Sequence, residues 1–160
     1  GRSLQMALVW GMIFMGGMAI YGMWHDISRS YAIQVSSDGG AITLPRALDG
    51  HYYVTAEING VDINFLVDTG ASDLTLSRAD AQRVGIDVDA LPFLGSANTA
   101  NGTVPIAYTR LNQVRLGPHL DRDVSASVNG GEMKKSLLGM SYLGKYDRIE
   151  ILGDRLVLNR

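Results

Sequence analysis

Cysteine is absent from all 160 residues, which excludes disulfides and thiolate zinc sites outright. A dominant charge is missing as well. Fourteen basic against sixteen acidic residues give a net charge of −2 and a pI near 5.9. No basic stripe with interleaved aromatics runs through the chain, so there is no electrostatic footprint for nucleic acid. Histidine is scarce. His25, His51 and His119 are scattered without metal-ligand spacing, and no metal or cofactor is expected. Solenoid-type repeats are missing too. At this length there is room for one folded domain and little else.

Met6 to Trp24 lacks any charged residue. As a helix these positions span roughly 28 Å, close to the hydrocarbon thickness of a bilayer. Trp10 and Trp24 suit its two interfacial levels, and Gly11, Gly16, Gly17 and Gly22 are tolerated better in membrane helices than in soluble ones. The expectation is a single N-terminal transmembrane helix within residues 1–25, contacting the membrane through residues 4–24. A cleaved signal peptide is the alternative, but the run is long for one and no small-x-small site follows it. Arg2 precedes the span, while Asp26 and Arg29 nearly cancel after it, which favours a single-pass protein with its folded part on the periplasmic, extracytoplasmic side. Residues 26–40 read as a stalk ending in the linker-like Ser36-Ser37-Asp38-Gly39-Gly40, and residues 41–160 as the folded domain.

That domain reads as mostly β. Ile42-Thr43-Leu44 begins regular structure. From His51 the period is two, with Tyr52, Val54, Ala56 and Ile58 on one face, and Asn59-Gly60 is a strong hairpin signal. The return strand puts Val61, Ile63, Phe65 and Val67 on one face. Ser77 caps a short helix over Arg78 to Val84, closed by Gly85. Phe93 to Tyr108 forms a second hairpin, with Pro105 marking it as an edge or projecting element. Leu111 to Leu116 and Val124 to Val128 add strands, Ser141 to Tyr146 a helical turn, and the tail a hairpin about Gly153-Asp154. Strands at this spacing predict a closed or partly closed β-barrel with one or two short helices.

The most informative residues are Asp68-Thr69-Gly70-Ala71-Ser72. They follow the apolar Phe65-Leu66-Val67 and precede Leu74-Thr75-Leu76, which holds an ionisable group near the interior on a tight turn. A carboxylate there needs a hydrogen bond or a shared proton. Thr69 can donate one, and Gly70 lets backbone N–H groups approach. The stretch resembles the active-site turn of aspartic proteases. Ala71 is similar to the retroviral-type (retropepsin-like) branch, where the pepsin-like branch usually carries Ser. Asp-Thr-Gly alone arises by chance in roughly a few per cent of chains this long, but a second element accompanies it. Leu137-Leu138-Gly139 resembles the hydrophobic-hydrophobic-Gly element that packs beside the catalytic turn in that family. Thr99, Ala100, Asn101 and Gly102 look like the tip of its flap, the mobile hairpin that closes over substrate in bacterial membrane-anchored members. The resemblance implies an acid-protease-like fold over about residues 42–160.

Peptide hydrolysis by carboxylates needs two of them sharing a proton, one as general base toward water and one as donor to the scissile carbonyl. Asp68 is the only Asp followed by Thr-Gly; Asp121, Asp123, Asp147 and Asp154 are followed by neither Thr-Gly nor Ser-Gly. One chain therefore supplies half a site. The resemblance implies a homodimer in which two Asp68 residues meet at a twofold axis, acting on a polypeptide substrate as an aspartic endopeptidase. The alternative from another class is a catalytically silent, membrane-tethered module that binds extended peptides by strand addition. A glycosidase-like carboxylate pair within one chain lacks a partner in a comparable setting.

Overall fold

The computed structural model describes residue 6, residues 9–19, residue 21, the backbone of residues 34–35, and residues 40–99 and 102–160. The chain divides into two compact units, Gly1–Ala32 and Ile33–Arg160. In the first, residues 9–19 are helical (α1), and Trp10, Ile13, Phe14 and Met15 are exposed along it. No helix among the described residues is long and apolar enough to cross a membrane. The expected span, Met6 to Trp24, lies partly outside the described residues, as does most of the expected stalk. Within that stalk Gln34–Val35 form a short strand (β1) rather than linker, paired to the strand that opens the folded domain.

The second unit is mostly β. One sheet has the order β1-β2-β11-β10, built from β2 (Ile42–Pro45) and the C-terminal hairpin β10 (Arg148–Leu152) and β11 (Arg155–Asn159). Gly153 turns that hairpin at φ +64. The second sheet has the order β3-β4-β9-β5-β8-β7-β6, and β3 additionally pairs with β7. Its strands are β3 (Tyr53–Ile58), β4 (Val61–Val67), β5 (Thr75–Leu76), β6 (Gly95–Thr99), β7 (Gly102–Leu116), β8 (His119–Asn129) and β9 (Ser136–Leu138).

The β3–β4 hairpin follows the alternation in the sequence. Val54, Ala56, Ile58, Ile63 and Phe65 are buried, and the turn takes positive φ at both Asn59 (51°) and Gly60 (85°), the type I′ requirement. Helix α2 (Arg78–Arg83) is one residue shorter than expected, with Val84 as its C-cap. Ser77 caps it by accepting the Asp80 N–H at 3.1 Å. Helix α3 spans Met140–Leu143.

The expected separate strand Leu111 to Leu116 is instead the second half of one 15-residue strand. Burial changes phase inside it, from Leu111 to Val114 and Leu116, and inside its partner β8, from Asp121 to Val124 and Ala126. The change falls at Asn112 and Asp123, where Asp123 takes φ +54 and Arg110 holds its carboxylate at 2.6 Å. Below this point β7 leaves the projecting hairpin and joins β3 through Glu57↔Arg115 and Ile58↔Val114. The core gathers Phe65, Leu74, Leu76, Leu111, Leu138 and Tyr142 from both halves.

Candidate active site

Asp68 is the first residue past β4, and its position is fixed by β9. The two strands run parallel with Val67 opposite Leu138, and Asp68 N–H donates to Leu138 O at 3.1 Å. The chain then turns tightly. Gly70 N–H donates to Asp68 Oδ1 at 2.8 Å and Ala71 N–H to Asp68 O at 3.2 Å. A Cβ on Gly70 would sit 3.2 Å from Asp68 Oδ1, so the missing side chain lets that N–H approach. This is the backbone N–H approach that Gly70 was expected to allow. Thr69 and Gly70 are exposed and Asp68 is half-buried, so the turn lies nearer the surface than its apolar flanks imply.

The turn rests on α3. Met140 N–H donates to Ala71 O and Ser141 N–H to Ser72 O, both at 2.8 Å, so the turn's carbonyls satisfy donors that a helix N-terminus leaves open. Ser141 Oγ accepts from Leu74 N–H at 3.0 Å. Gly139 makes this approach possible. A Cβ there would lie 2.2 Å from Asp73 O and 2.7 Å from Ala71 O. Leu138 and Gly139 are buried behind the turn, while Leu137 reaches the cleft in front of it. Behind α3, Tyr142 Oη donates to Asp121 Oδ2 at 3.0 Å, and Arg160 clamps both oxygens of Asp121 at 2.8 and 2.6 Å. These Arg160 hydrogen bonds hold the Asp121 carboxyl below its ordinary range. Burial pushes the Tyr142 hydroxyl far up and that of Tyr146 up to about 12.

In front of the turn lies a cleft of about 640 Å³. Asp68, Gly70 and Ala71 line it together with Ser96, Ala97, Asn98 and Thr99 of β6. Of the expected flap tip, Thr99 lines the cleft and its Oγ1 donates to Gly102 O at 2.7 Å. Gly102 is exposed at φ +115, and Ala100 and Asn101 lie outside the described residues. Sequence reasoning missed Asp73, the other charged residue on the cleft. It also missed the Thr75 Oγ1 to Ser127 Oγ contact of 2.9 Å beneath it. The signal for Asp73 was its place one residue past the motif. That for Ser127 was absent, because it depends on β5 pairing with β8 across 52 residues.

The family described as "gag-polyprotein putative aspartyl protease" matches residues 54–145. The chain is 35% identical over 97% of its length to an uncharacterised protein of Rickettsia prowazekii, spanning 70% of that relative. It is 37% identical over 81% of its length to an uncharacterised Sinorhizobium protein encoded in a cobV 5′ region, spanning 56% of it. Among solved structures, a retropepsin-like aspartic protease from Rickettsia conorii is similar at a TM-score of 0.70 and 39% identity, covering 76% of this chain and all of that one. The EIAV protease complexed with the inhibitor HBY-793 shares the fold at a TM-score of 0.55 and 19% identity, covering 66% of this chain and 96% of that one.

Proposed function

The chain belongs to the retropepsin-like aspartic protease family, and from that premise we propose that it is an aspartic endopeptidase whose catalytic pair is Asp68 from each of two copies. The observation that carries this is Asp68 itself. It stands on a turn braced by β9 and α3, at a cleft roomy enough for an extended peptide, in a chain with no second Asp-Thr-Gly.

In this mechanism one Asp68 is ionised and the other protonated. The ionised carboxylate takes a proton from water as the water oxygen attacks the scissile carbonyl carbon. The protonated carboxyl donates to the carbonyl oxygen. Collapse of the tetrahedral intermediate breaks the C–N bond as the departing nitrogen receives a proton. A C2 assembly suits this scheme, because residues on the axis face their own copies. The exposure of Thr69 and Gly70 supports the same reading, since the turn is open to a partner. The β3–β7 pairing supports a partly closed barrel, and the β6–β7 hairpin is positioned to act as a flap over the cleft. We further propose that residues 4–24 anchor the chain in a membrane, with the catalytic domain on the extracytoplasmic side.

Asp68→Asn conserves shape and removes the acid/base pair, so it should fold normally and cleave no peptide from a diverse library. Near-wild-type turnover would end the aspartic-protease reading. Peptide binding without turnover by the wild type would leave the silent binding module. Mixing one part wild type with nine parts Asp68→Asn should lower the activity per wild-type chain about tenfold, since about nine in ten wild-type chains would sit in dimers that hold a single competent Asp.

A further inference from the structure

The cleft carries more negative charge than catalysis uses. Among the described residues Asp68 and Asp73 are the only charged groups that line it, and no cation or hydrogen-bond donor meets the Asp73 carboxylate. Asp73 and Thr75 lie two residues apart on the cleft side of the chain, while Leu74 between them is buried in the core. Beside Asp73 a row crosses three strands. Thr75 on β5 stands opposite Ser127 on β8, and Ser127 stands opposite Tyr108 on β7. All three line the cleft. Thr75 Oγ1 donates to Asp73 O at 3.4 Å and lies 2.9 Å from Ser127 Oγ. A hydroxyl has one proton, so both contacts are made together only when Ser127 donates to Thr75. That arrangement spends both protons inside the wall and leaves oxygen lone pairs for a ligand. At the end of the row the large Tyr108 ring is 65% exposed.

We propose that Asp73, the Thr75–Ser127 hydroxyl pair and the Tyr108 ring form a subsite that selects a lysine or arginine side chain of the peptide. The proposal rests on the endopeptidase reading and names the class of peptide that it takes. A carboxylate and two hydroxyl oxygens, their own protons already spent, suit an ammonium or guanidinium group, which only donates. Lysine and arginine also bring an apolar stem that the Tyr108 ring can cover, and a charge drawn to an aromatic face. A peptide seated in the cleft strips water from Asp73. An apolar side chain there leaves a desolvated carboxylate unpaired, and an acidic one adds repulsion, so the same group rejects as well as selects. The cleft also presents Ala71, Ala97, Ile106 and Leu137, which suit apolar neighbours, so the basic preference belongs to a position and not to the whole peptide. On the two-copy reading the subsite occurs once in each half of the cleft, and a basic residue on either side of the scissile bond satisfies it.

The test compares matched peptides on the full chain, scanning each position around the scissile bond with lysine against norleucine, arginine against citrulline, and glutamate. The readout is a ratio of kcat/KM within each variant. In the wild type one position on a side should favour lysine over norleucine about tenfold, with glutamate cleaved slowest. Asp73→Asn should bring that ratio towards one, and Asp73→Lys should place glutamate above lysine. Ser127→Ala removes one acceptor and should lower the lysine preference roughly threefold, so the subsite is read even if the Asp73 variants fold poorly. A wild type that treats lysine and norleucine alike at every position, or an Asp73→Asn protein that folds and keeps the full ratio, would overturn the subsite. Affinities of the same peptides for Asp68→Asn, measured by fluorescence anisotropy, give the selectivity without turnover. If the wild type cleaves nothing and Asp68→Asn still holds lysine peptides about tenfold tighter than norleucine ones, the protease reading fails while the subsite stands. If the wild type cleaves and both ratios are one, the reverse holds.

Discussion

Gly139→Ala tests whether the Leu137-Leu138-Gly139 element supports the catalytic turn by contact. Gly139 has φ −92 and ψ −175, a conformation any residue adopts, so backbone strain plays no part. Alanine would even gain about 0.4–1 kcal/mol by restricting the unfolded chain. Against that stands a Cβ 2.2 Å from Asp73 O, 2.7 Å from Ala71 O and 2.8 Å from the Asp73 carbonyl carbon. All three are backbone atoms, so no side chain can rotate away. Relieving the overlap means moving α3 off the turn by about 1 Å, which stretches both 2.8 Å bonds from Met140 and Ser141 beyond hydrogen-bonding range. Losing two partly buried bonds and forcing the packing apart should cost about 3 kcal/mol net, or roughly 10 °C in Tm for a domain of this size. Activity should fall further than stability, because displacing a reacting group by about 1 Å costs on the order of 100-fold. Thermal unfolding and peptide cleavage read the two effects. Gly60→Ala is the control, since it meets open space at φ +85 and carries only the left-handed penalty of about 1–2 kcal/mol. A Gly139→Ala protein that melts within about 2 °C of wild type, or melts above Gly60→Ala, would refute the reasoning.

Asp121→Asn should destabilise the domain by about 3 kcal/mol at neutral pH by breaking the clamp with Arg160 and Tyr142. The folded Asp121 carboxyl is held low, so its contribution is full above the ordinary unfolded value near 3.9 and is lost as pH falls through the folded one. The Tm gap between wild type and variant should therefore narrow below about pH 4, and a gap unchanged from pH 7 to pH 2 would refute this. Gly102→Val places a β-branched side chain at φ +115. The strain is confined to the exposed hairpin tip, so turnover should drop roughly tenfold with little change in Tm; equal turnover would make residues 99–102 a bystander loop.

The β3–β4 hairpin was legible because every level agreed: two-residue alternation, Asn-Gly at the turn, and an apolar end delivering Asp68. The α2 cap was legible for the same reason, since Ser77 and Gly85 act within one helical turn. What stayed hidden was non-local. Val67 opposite Leu138 and Thr75 opposite Ser127 are parallel pairings between segments that carry no mark of their partners. The length of β7 was hidden differently. Its alternation shifts phase at Asn112, so its halves read as two strands, although the shift is matched at Asp123 across the ladder. A phase change reads as a strand end only when the partner strand is not known to shift with it.

The placement of Asp68 is the most informative difference. Its apolar flanks implied a carboxylate near the interior, yet it is half-buried, and its Oδ1 takes a hydrogen bond from Gly70. The flanks are apolar because Phe65, Leu74 and Leu138 fill the core beneath the turn, and this requirement is met within one chain. Asp68 therefore stays open to a partner in the single chain, and on the shared-dyad reading its full burial is deferred to assembly. Folding and pairing are then separable steps. That separation is why Asp68→Asn, a change at a half-buried position, should alter activity while leaving the fold's own melting transition nearly where it was.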